Sequence, residues 1–315
     1  MRSWPGSTDR QHPAAEEAAM SDRVRQRGDH SASAIYRSAA GAAAIRQNYL
    51  AILRRWPVPN EHLRVPTRQG ETFVVASGPH DAPPLVLMHG SGTNAAMWLD
   101  DVTAWSEHFR VYAIDMIGEP GLSAPARPPL DSDAYALWLD DVLDGLGVTS
   151  ASVVGASLGG WLGLDYATRR VDRVRRLSLL CPGGIGRQKY GWMFLAVPLR
   201  AFGRWGQRMT MRIGPGIDAR DPKMAAFADH MASVSTHFRY RTAPLPIFSD
   251  DALRRLSMPV QVTVGDRDAM FDSAGTARRV RRTVPHAQVT VLAGVGHSFT
   301  GQTAAILAFL RADQR

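Results

Sequence analysis

The sequence predicts an α/β fold in which a mostly parallel, eight-stranded sheet is flanked by helices. Three observations support this prediction. Eight short apolar runs follow one another, and several are continuously apolar, as strands buried on both faces are. Helical patterns separate most of the runs, and a helix between two strands is the connection that makes them parallel. One long interval, between the sixth and seventh runs, carries no strand pattern and predicts an inserted helical cap.

The elements follow in order from the N-terminus. Residues 1–34 lack apolar periodicity, which predicts a disordered tail. A helix is expected from Ala34 to Trp56, where Ile45, Tyr49, Leu50 and Leu53 recur on one face. The strands that we then expect are HLRVPT (62–67), TFVVASG (72–78), PLVLMHG (84–90), VYAIDM (111–116), ASVVGAS (151–157), VRRLSLLC (174–181), PVQVTVGD (259–266) and QVTVLAG (288–294).

The interval after the sixth strand divides the chain into a core and an insertion. Residues 35–182 and 248–315 form the predicted core, and residues 183–247 the predicted helical lid. The insertion is rich in aromatic and methionine side chains, which suggests that one face covers an apolar pocket. It leaves and re-enters the core where parallel strands end, the usual edge for a ligand site. Glycines and prolines near both ends, in CPGGIG and APLP, are candidate hinges.

Composition excludes several classes of protein. The chain has 315 residues, 45% hydrophobic and 21% charged, enough for a large core. Its net charge is +8, but the cations are scattered, which argues against nucleic-acid binding. It contains neither an apolar stretch long enough to span a membrane nor a signal-peptide centre, so we expect a cytoplasmic protein. Cys181 is the only cysteine, which excludes an intrachain disulfide; after an apolar strand it is expected to be a buried, unreactive thiol.

The fifth strand ends in VVGASLGGW, where Gly155, Ser157 and Gly159 form the pattern GxSxG before a helix. Such a turn forces the serine into a strained conformation and presents its hydroxyl at the helix N-terminus. Glycines two residues on either side remove side chains that would clash there. The pattern alone is weak, but its position between a strand and a helix makes Ser157 a candidate nucleophile.

Two later strand ends supply the partners that a serine nucleophile requires. A base must take the hydroxyl proton, and a third group must orient that base. GDRD after the seventh strand offers Asp268, and GVGHS after the eighth offers His297. Asp266 and Asp272 compete for the acid role; we assign it to Asp268, the fourth residue of GDRD, and give Asp266 to the turn. The order Ser157, Asp268, His297 predicts a catalytic triad.

In these motifs the chain resembles the α/β-hydrolase family, and within it bacterial carboxylesterases. HGSG, IDMIGEPGLS, VVGASLGG, GDRD and PHAQVTVLAGVGHS stand in family order from about His62 to Leu310. The departure is DMIGEPGLS, where many members carry a glycine and a histidine. The resemblance implies an α/β-hydrolase fold with a lid after strand 6. It also implies an oxyanion hole formed by the backbone N–H groups of Ser91 and Leu158.

The third strand invites another interpretation. Gly90, Gly92 and Ala95 fit GxGxxA, and Asp115 ends the next run near where a ribose-binding carboxylate sits in a dinucleotide fold. Glycines let a backbone approach either a pyrophosphate or a developing oxyanion. A dinucleotide fold would leave the triad positions unexplained, so we favour the oxyanion loop and expect His89 to be structural.

We therefore expect a serine hydrolase that cleaves small to medium apolar carboxylic esters through an acyl-enzyme, with no metal or organic cofactor. The residues expected to line its substrate pocket are Met97, Trp98, Trp161, Trp192, Phe194 and Phe238. The same triad serves C–C bond hydrolases, thioesterases and acyltransferases, which stay open as alternatives. A non-catalytic small-molecule receptor on the same fold is the alternative from another class.

Overall fold

A computed structural model describes residues 35–217, 222–298 and 300–312. Eight strands form one sheet in the order β1-β2-β4-β3-β5-β6-β7-β8. The strands are β1 (Asn60–Val65), β2 (Thr72–Ser77), β3 (Pro84–Met88), β4 (Arg110–Ile114), β5 (Ala151–Ala156), β6 (Val174–Leu180), β7 (Val260–Gly265) and β8 (Gln288–Leu292). β2 is antiparallel to both β1 and β4, and the remaining pairs are parallel. The predicted eight-stranded, mostly parallel sheet is confirmed.

Ten α-helices of the described residues surround or overlie the sheet. They are α1 (Ala39–Leu53), α2 (Leu99–Ser106), α3 (Ala134–Gly145), α4 (Leu158–Arg169), α5 (Gly191–Leu199), α6 (Gly203–Ile213), α7 (Pro222–His237), α8 (Asp250–Arg254), α9 (Ser273–Thr283) and α10 (Thr303–Leu310). Short 3₁₀ turns cover Ala95–Trp98, Val171–Arg173 and Arg200–Phe202. The predicted tail, residues 1–34, lies outside the described residues.

Alternation along the central strands builds a core on each face of the sheet. In β2, Val74 packs with α3 and α4, whereas Val75 packs on the opposite face with α1, α2 and α10. Every residue of β2, β4, β5 and β7 is buried, but the edge strands β1 and β8 are largely exposed. Continuous apolar runs therefore mark the strands that lie between two helical layers.

The first predicted helix is confirmed as α1, which is shorter than expected at both ends. The Ser38 hydroxyl accepts a hydrogen bond from the Gly41 N–H and so caps its N-terminus. Ile45, Tyr49 and Leu53 are buried as expected, and Leu50 is half-buried.

The interval between β6 and β7 contains α5, α6 and α7. Because β6 and β7 pair with each other, the interval starts and ends at neighbouring positions of the sheet. The Phe248 N–H donates to the Gly184 carbonyl at 2.8 Å, so the departing and returning segments are bonded to each other. This places the start and the end of the interval at the edge of the sheet where β5 also ends.

Candidate active site

Ser157 lies at the sharp turn between β5 and α4. Its φ of 53° and ψ of −109° fall where L-residues are strained, which only a well-packed surrounding maintains. A Cβ on Gly155 would lie 2.5 Å from the Gly159 carbonyl oxygen, and one on Gly159 would lie 2.2 Å from that of Met88. The two glycines of GxSxG therefore admit the backbone crossings that form the turn.

Three side chains from three strand ends form one hydrogen-bonded chain. His297 Nδ1 lies 2.8 Å from Asp268 Oδ2, and His297 Nε2 lies 3.0 Å from Ser157 Oγ. An ionised carboxylate only accepts, so Nδ1 carries the ring proton and Nε2 is free to accept from the serine hydroxyl. The Phe271 ring packs against the imidazole, with centroids 5.2 Å apart. This is the order of contacts that activates a serine hydroxyl.

Asp268 is held as an ionised acceptor. Burial, the largest influence, would raise its pKa, but hydrogen bonds from His297 and from the Phe271 and Met270 N–H groups outweigh it and lower the pKa. Asp266 instead accepts from the Gly294 N–H and stabilises the adjoining turn. Asp272 caps α9 by accepting from the Gly275 N–H. Among these three carboxylates only Asp268 contacts the imidazole.

The loop after β3 approaches Ser157 from the other side. Among the described residues, the N–H groups of Ser91 and Leu158 donate to no protein acceptor, whereas the neighbouring Gly159 N–H donates to the His89 carbonyl. His89 is buried; its Nδ1 contacts the Gly90 carbonyl and its Nε2 accepts from the Met116 N–H. Burial lowers the pKa of His89 to about 4, which keeps this imidazole neutral. It fixes the loop, in agreement with its expected structural role.

Glu119 is a buried residue of this loop region that the sequence analysis missed. It accepts from the Gly92 N–H at 2.6 Å and from the Ser91 hydroxyl at 3.3 Å. Burial raises its pKa to about 7, although Arg127 and Arg241 oppose the shift. The sequence did contain a feature that could have identified Glu119, because this residue lies in DMIGEPGLS, where the chain departs from the family pattern.

Asp115 has structural partners that argue against a ribose-binding role. One oxygen accepts from the Tyr49 hydroxyl and the Ala95 N–H, and the other from the Leu122 N–H. The residue is fully buried, and burial raises its pKa to about 6. Its carboxylate therefore joins α1 to the β3 and β4 loops, and the GxGxxA pattern is part of the site around Ser157.

The sequence of the core matches a known family. A model of the "Alpha/beta hydrolase family" matches residues 85–309, which include Ser157, Asp268 and His297. The chain belongs to the alpha/beta hydrolase family. Its curated relatives include carboxylesterase YbfK of Bacillus subtilis, 30% identical over 261 residues that cover 80% of this chain and 86% of YbfK.

Solved structures of similar alpha/beta hydrolases agree with this assignment. The crystal structure of carboxylesterase CesB (YbfK) from Bacillus subtilis has a TM-score of 0.75 at 29% identity, covering 87% of this chain and 99% of that one. The crystal structure of naproxen esterase from the same organism has a TM-score of 0.71 at 27% identity, covering 85% of this chain and 95% of that one.

Three expected pocket residues of this alpha/beta hydrolase lie in its core. Met97 is half-buried below the loop, with its sulfur 3.4 Å from the Gly90 N–H. Trp161 is buried one turn after Ser157, and its indole N–H donates to the Pro246 carbonyl. Trp98 is also buried, but its ring packs against Trp105 of α2, in the core that α1, α2 and α10 form on one face of the sheet.

The three expected pocket residues between β6 and β7 lie in different environments. Trp192 is half-buried, and its ring lies where a Cβ on Gly214 would be. Phe238 is fully buried against Ile35 and Tyr36, so it joins α7 to the segment before α1. The expectation for Phe194 is corrected. Its side chain is 80% exposed and lines no enclosed site, because none of the residues of α5 is buried.

The segment between β6 and β7 also contacts the loops that carry Asp268 and His297. The Lys189 ammonium donates to the Asp268 carbonyl at 2.9 Å, and the Lys189 N–H donates to the Met270 carbonyl. After α6, the Pro215 carbonyl accepts from the Ser298 N–H. Near Ser91, the Tyr240 ring occupies the space that a Cβ on Gly92 would need. No pattern in the sequence predicts these contacts.

Cys181 lies beside Asp268 and His297. Its thiol, one oxygen of Asp268 and one nitrogen of His297 lie within 4.8 Å of one another, close enough to share a metal ion. Burial and the Asp268 carboxylate raise the pKa of this thiol well above its usual value. A metal ion would have to displace that proton and break the Asp268–His297 hydrogen bond. The donor set therefore fits the triad better than a metal site.

Proposed function

We propose that this protein hydrolyses carboxylic esters of small to medium apolar substrates through an acyl-enzyme. The observation that carries the proposal is the hydrogen-bonded chain Asp268–His297–Ser157, with Ser157 on a strained turn. Support comes from the similarity to carboxylesterase YbfK and naproxen esterase.

In the proposed reaction the Ser157 hydroxyl attacks the ester carbonyl while His297 Nε2 accepts its proton. We assign the oxyanion to the N–H groups of Ser91 and Leu158, which donate to no protein acceptor among the described residues. His297 then gives the proton to the leaving alcohol. In the second half, His297 takes a proton from water, the hydroxide attacks the acyl-enzyme, and Ser157 is released as the hydroxyl.

We assign different roles to the two parts of the chain. Residues 35–182 and 248–315 supply the nucleophile, base, acid and oxyanion groups. Residues 183–247 act as a lid that selects the acyl or alcohol part of the substrate. Trp192 of the lid and Trp161 of the core, whose indole N–H donates to the Pro246 carbonyl, are the aromatic residues that we assign to the pocket. Support comes from the contacts of Lys189 and Pro215 with the loops of Asp268 and His297. The cytoplasmic location stays a prediction.

The decisive test is covalent labelling by a fluorophosphonate, followed by mass spectrometry of the labelled peptide. We expect one adduct, on Ser157, and none on Cys181, whose thiol is buried and protonated. Labelling of the Ser157→Ala variant at any residue would contradict the assignment. Turnover of a panel of alkyl esters, the matching thioesters and a C–C cleavable diketone then distinguishes the reaction classes. An esterase shows the highest kcat/KM on the esters.

A further inference from the structure

The helix α5 is apolar on every side, and yet none of its residues is buried. All nine of its residues, GWMFLAVPL, are nonpolar. A helix that is apolar all round is normally enclosed by protein or lipid. Ten large apolar side chains are exposed among the described residues, and seven of them lie in one stretch. These seven are Tyr190, Met193, Phe194, Leu195, Val197, Phe202 and Trp205. We call residues 190–212 the exposed helical segment.

The helix α6 fixes the orientation of this segment. On one side, Gln207 donates to the Ala232 carbonyl of α7 at 2.9 Å, and Met211 packs with Met231. On the other side Trp205 is 57% exposed and contacts Phe202, which is also exposed. The packing against α7 therefore leaves the aromatic side of α6 outward, beside α5.

The charge of the same stretch is one-sided. Between Tyr190 and Arg212 the sequence contains four basic residues and no acidic one. They are Arg200, Arg204, Arg208 and Arg212. Arg208, on α6, is exposed. A second copy of the chain would place this positive charge against itself, which disfavours a symmetric dimer through this face. A partner that covers the exposed helical segment must therefore offer both an apolar surface and negative charge.

We propose that the exposed helical segment docks on an anionic lipid surface. Aromatic and aliphatic side chains of α5 and α6 enter the boundary between headgroups and acyl chains, while the exposed Arg208 contacts lipid phosphates. Such binding is peripheral: among the described residues, every helix is too short or too polar to cross a membrane. The docking does not depend on the ester chemistry proposed above.

The test is co-sedimentation of the full chain with vesicles. One set contains equal parts of phosphatidylglycerol and phosphatidylcholine, and the other phosphatidylcholine alone. We expect binding to the anionic vesicles that weakens as salt is raised, and at least tenfold weaker binding to the neutral ones. No binding to anionic vesicles at low salt would overturn the proposal.

Matched variants identify the docking face. The double variant Leu195→Ser/Trp205→Ser, and Arg208→Glu, should each weaken binding by roughly tenfold or more. The controls are Val291→Ser on β8 and Arg278→Glu on α9, which remove an exposed apolar side chain and an exposed cation elsewhere. Circular dichroism and thermal unfolding check that each variant is folded.

Two other results would overturn the proposal. One is binding that Arg278→Glu weakens as much as Arg208→Glu does, because the attraction would then be general. The other is an oligomer of the full chain that Leu195→Ser/Trp205→Ser converts to a monomer, because a second copy would then cover the segment. Light scattering after size-exclusion chromatography distinguishes this case.

Discussion

Asp268 and Asp266 are two residues apart but act on different parts of the loop. Asp268 orients His297, whereas Asp266 holds the Gly294 turn. We expect Asp268→Asn to lower kcat by about 10³- to 10⁴-fold, because the amide favours the wrong imidazole tautomer. Asp266→Asn is the matched control and should lower kcat by less than about tenfold. Steady-state kinetics on one soluble ester measure both, and a reversal would show that the acid is Asp266.

Glu119 offers a second test, directed at the loop rather than at the triad. Its carboxylate holds the Gly92 N–H and the Ser91 hydroxyl, so its loss should displace the Ser91 N–H. We expect Glu119→Ala to lower kcat by roughly tenfold to a hundredfold with little change in KM, because a misplaced donor costs mainly transition-state binding.

Glu119→Gln is the conservative control, because an amide oxygen can still accept from the Gly92 N–H. It should restore most of the activity that Glu119→Ala loses. If both variants lost kcat equally, negative charge rather than loop position would be the contribution of Glu119.

The sequence predicted which residues meet at this site but not what holds them. Ser157, Asp268 and His297 each follow a strand, and the carboxyl ends of parallel strands meet at one edge, so their proximity was predictable. Glu119 and Tyr240 reach the loop after β3 from coil positions with no periodic pattern. Their contacts depend on how coil segments fold back over the sheet, which local sequence does not encode.

At the scale of elements, the lid proposal predicts a change of specificity. Trp192 is half-buried against Gly214, so Trp192→Ala should open space beneath α5. We expect the ranking of esters by chain length to change, mainly in kcat/KM, while a very small activated ester is cleaved at nearly the original rate. Phe194→Ala is the matched control: its exposed side chain should leave the ranking of soluble esters unchanged. Loss of all turnover in folded Trp192→Ala would contradict the proposed division of roles.

The elements differ in how far the sequence determined them. Strands between two helical layers gave continuous apolar runs, and each of the eight expected runs, including the exposed edge runs, overlaps one strand of the sheet. The aromatic residues between β6 and β7 were predicted to face inward, yet Phe194 points outward and Phe238 packs on the segment before α1. An entirely apolar helix such as α5 has no polar face from which its orientation could be inferred.

At the scale of the whole molecule, buried carboxyl groups predict the pH dependence of stability. Burial raises the pKa of Asp101 and Asp115 to about 6 and that of Glu119 to about 7. The folded chain thus keeps protons that the unfolded chain has released. These three groups lower the free energy of unfolding as pH rises from about 4.5 to 7. The buried His89 and His230, whose pKa burial lowers to about 4, bind protons mainly when the chain is unfolded and so oppose the fall, but three groups against two leave a net decrease. Asp268 has the opposite shift and loses its contribution in acid. Stability should be greatest at about pH 4.5, where this fall begins.

Urea unfolding at about pH 5 and pH 8 measures this dependence. Glu119→Gln removes one titrating group and should flatten the decline, by as much as about 3 kcal/mol. Equal stability of the unmodified chain at the two pH values would contradict the prediction. An undiminished slope in Glu119→Gln would assign the decline to other groups.

The hydrogen bond between Gly184 and Phe248 has a consequence for how this protein can change over evolutionary time. It joins the two ends of the interval between β6 and β7 that we propose as a lid, and these two strands already hold those ends as neighbours. Closing a loop between fixed, adjacent points costs little more when the loop is longer. The segment can therefore lengthen, shorten or be exchanged for an unrelated one with limited cost to the core. A lineage can thus acquire new substrates here while β1 to β8 are inherited unaltered.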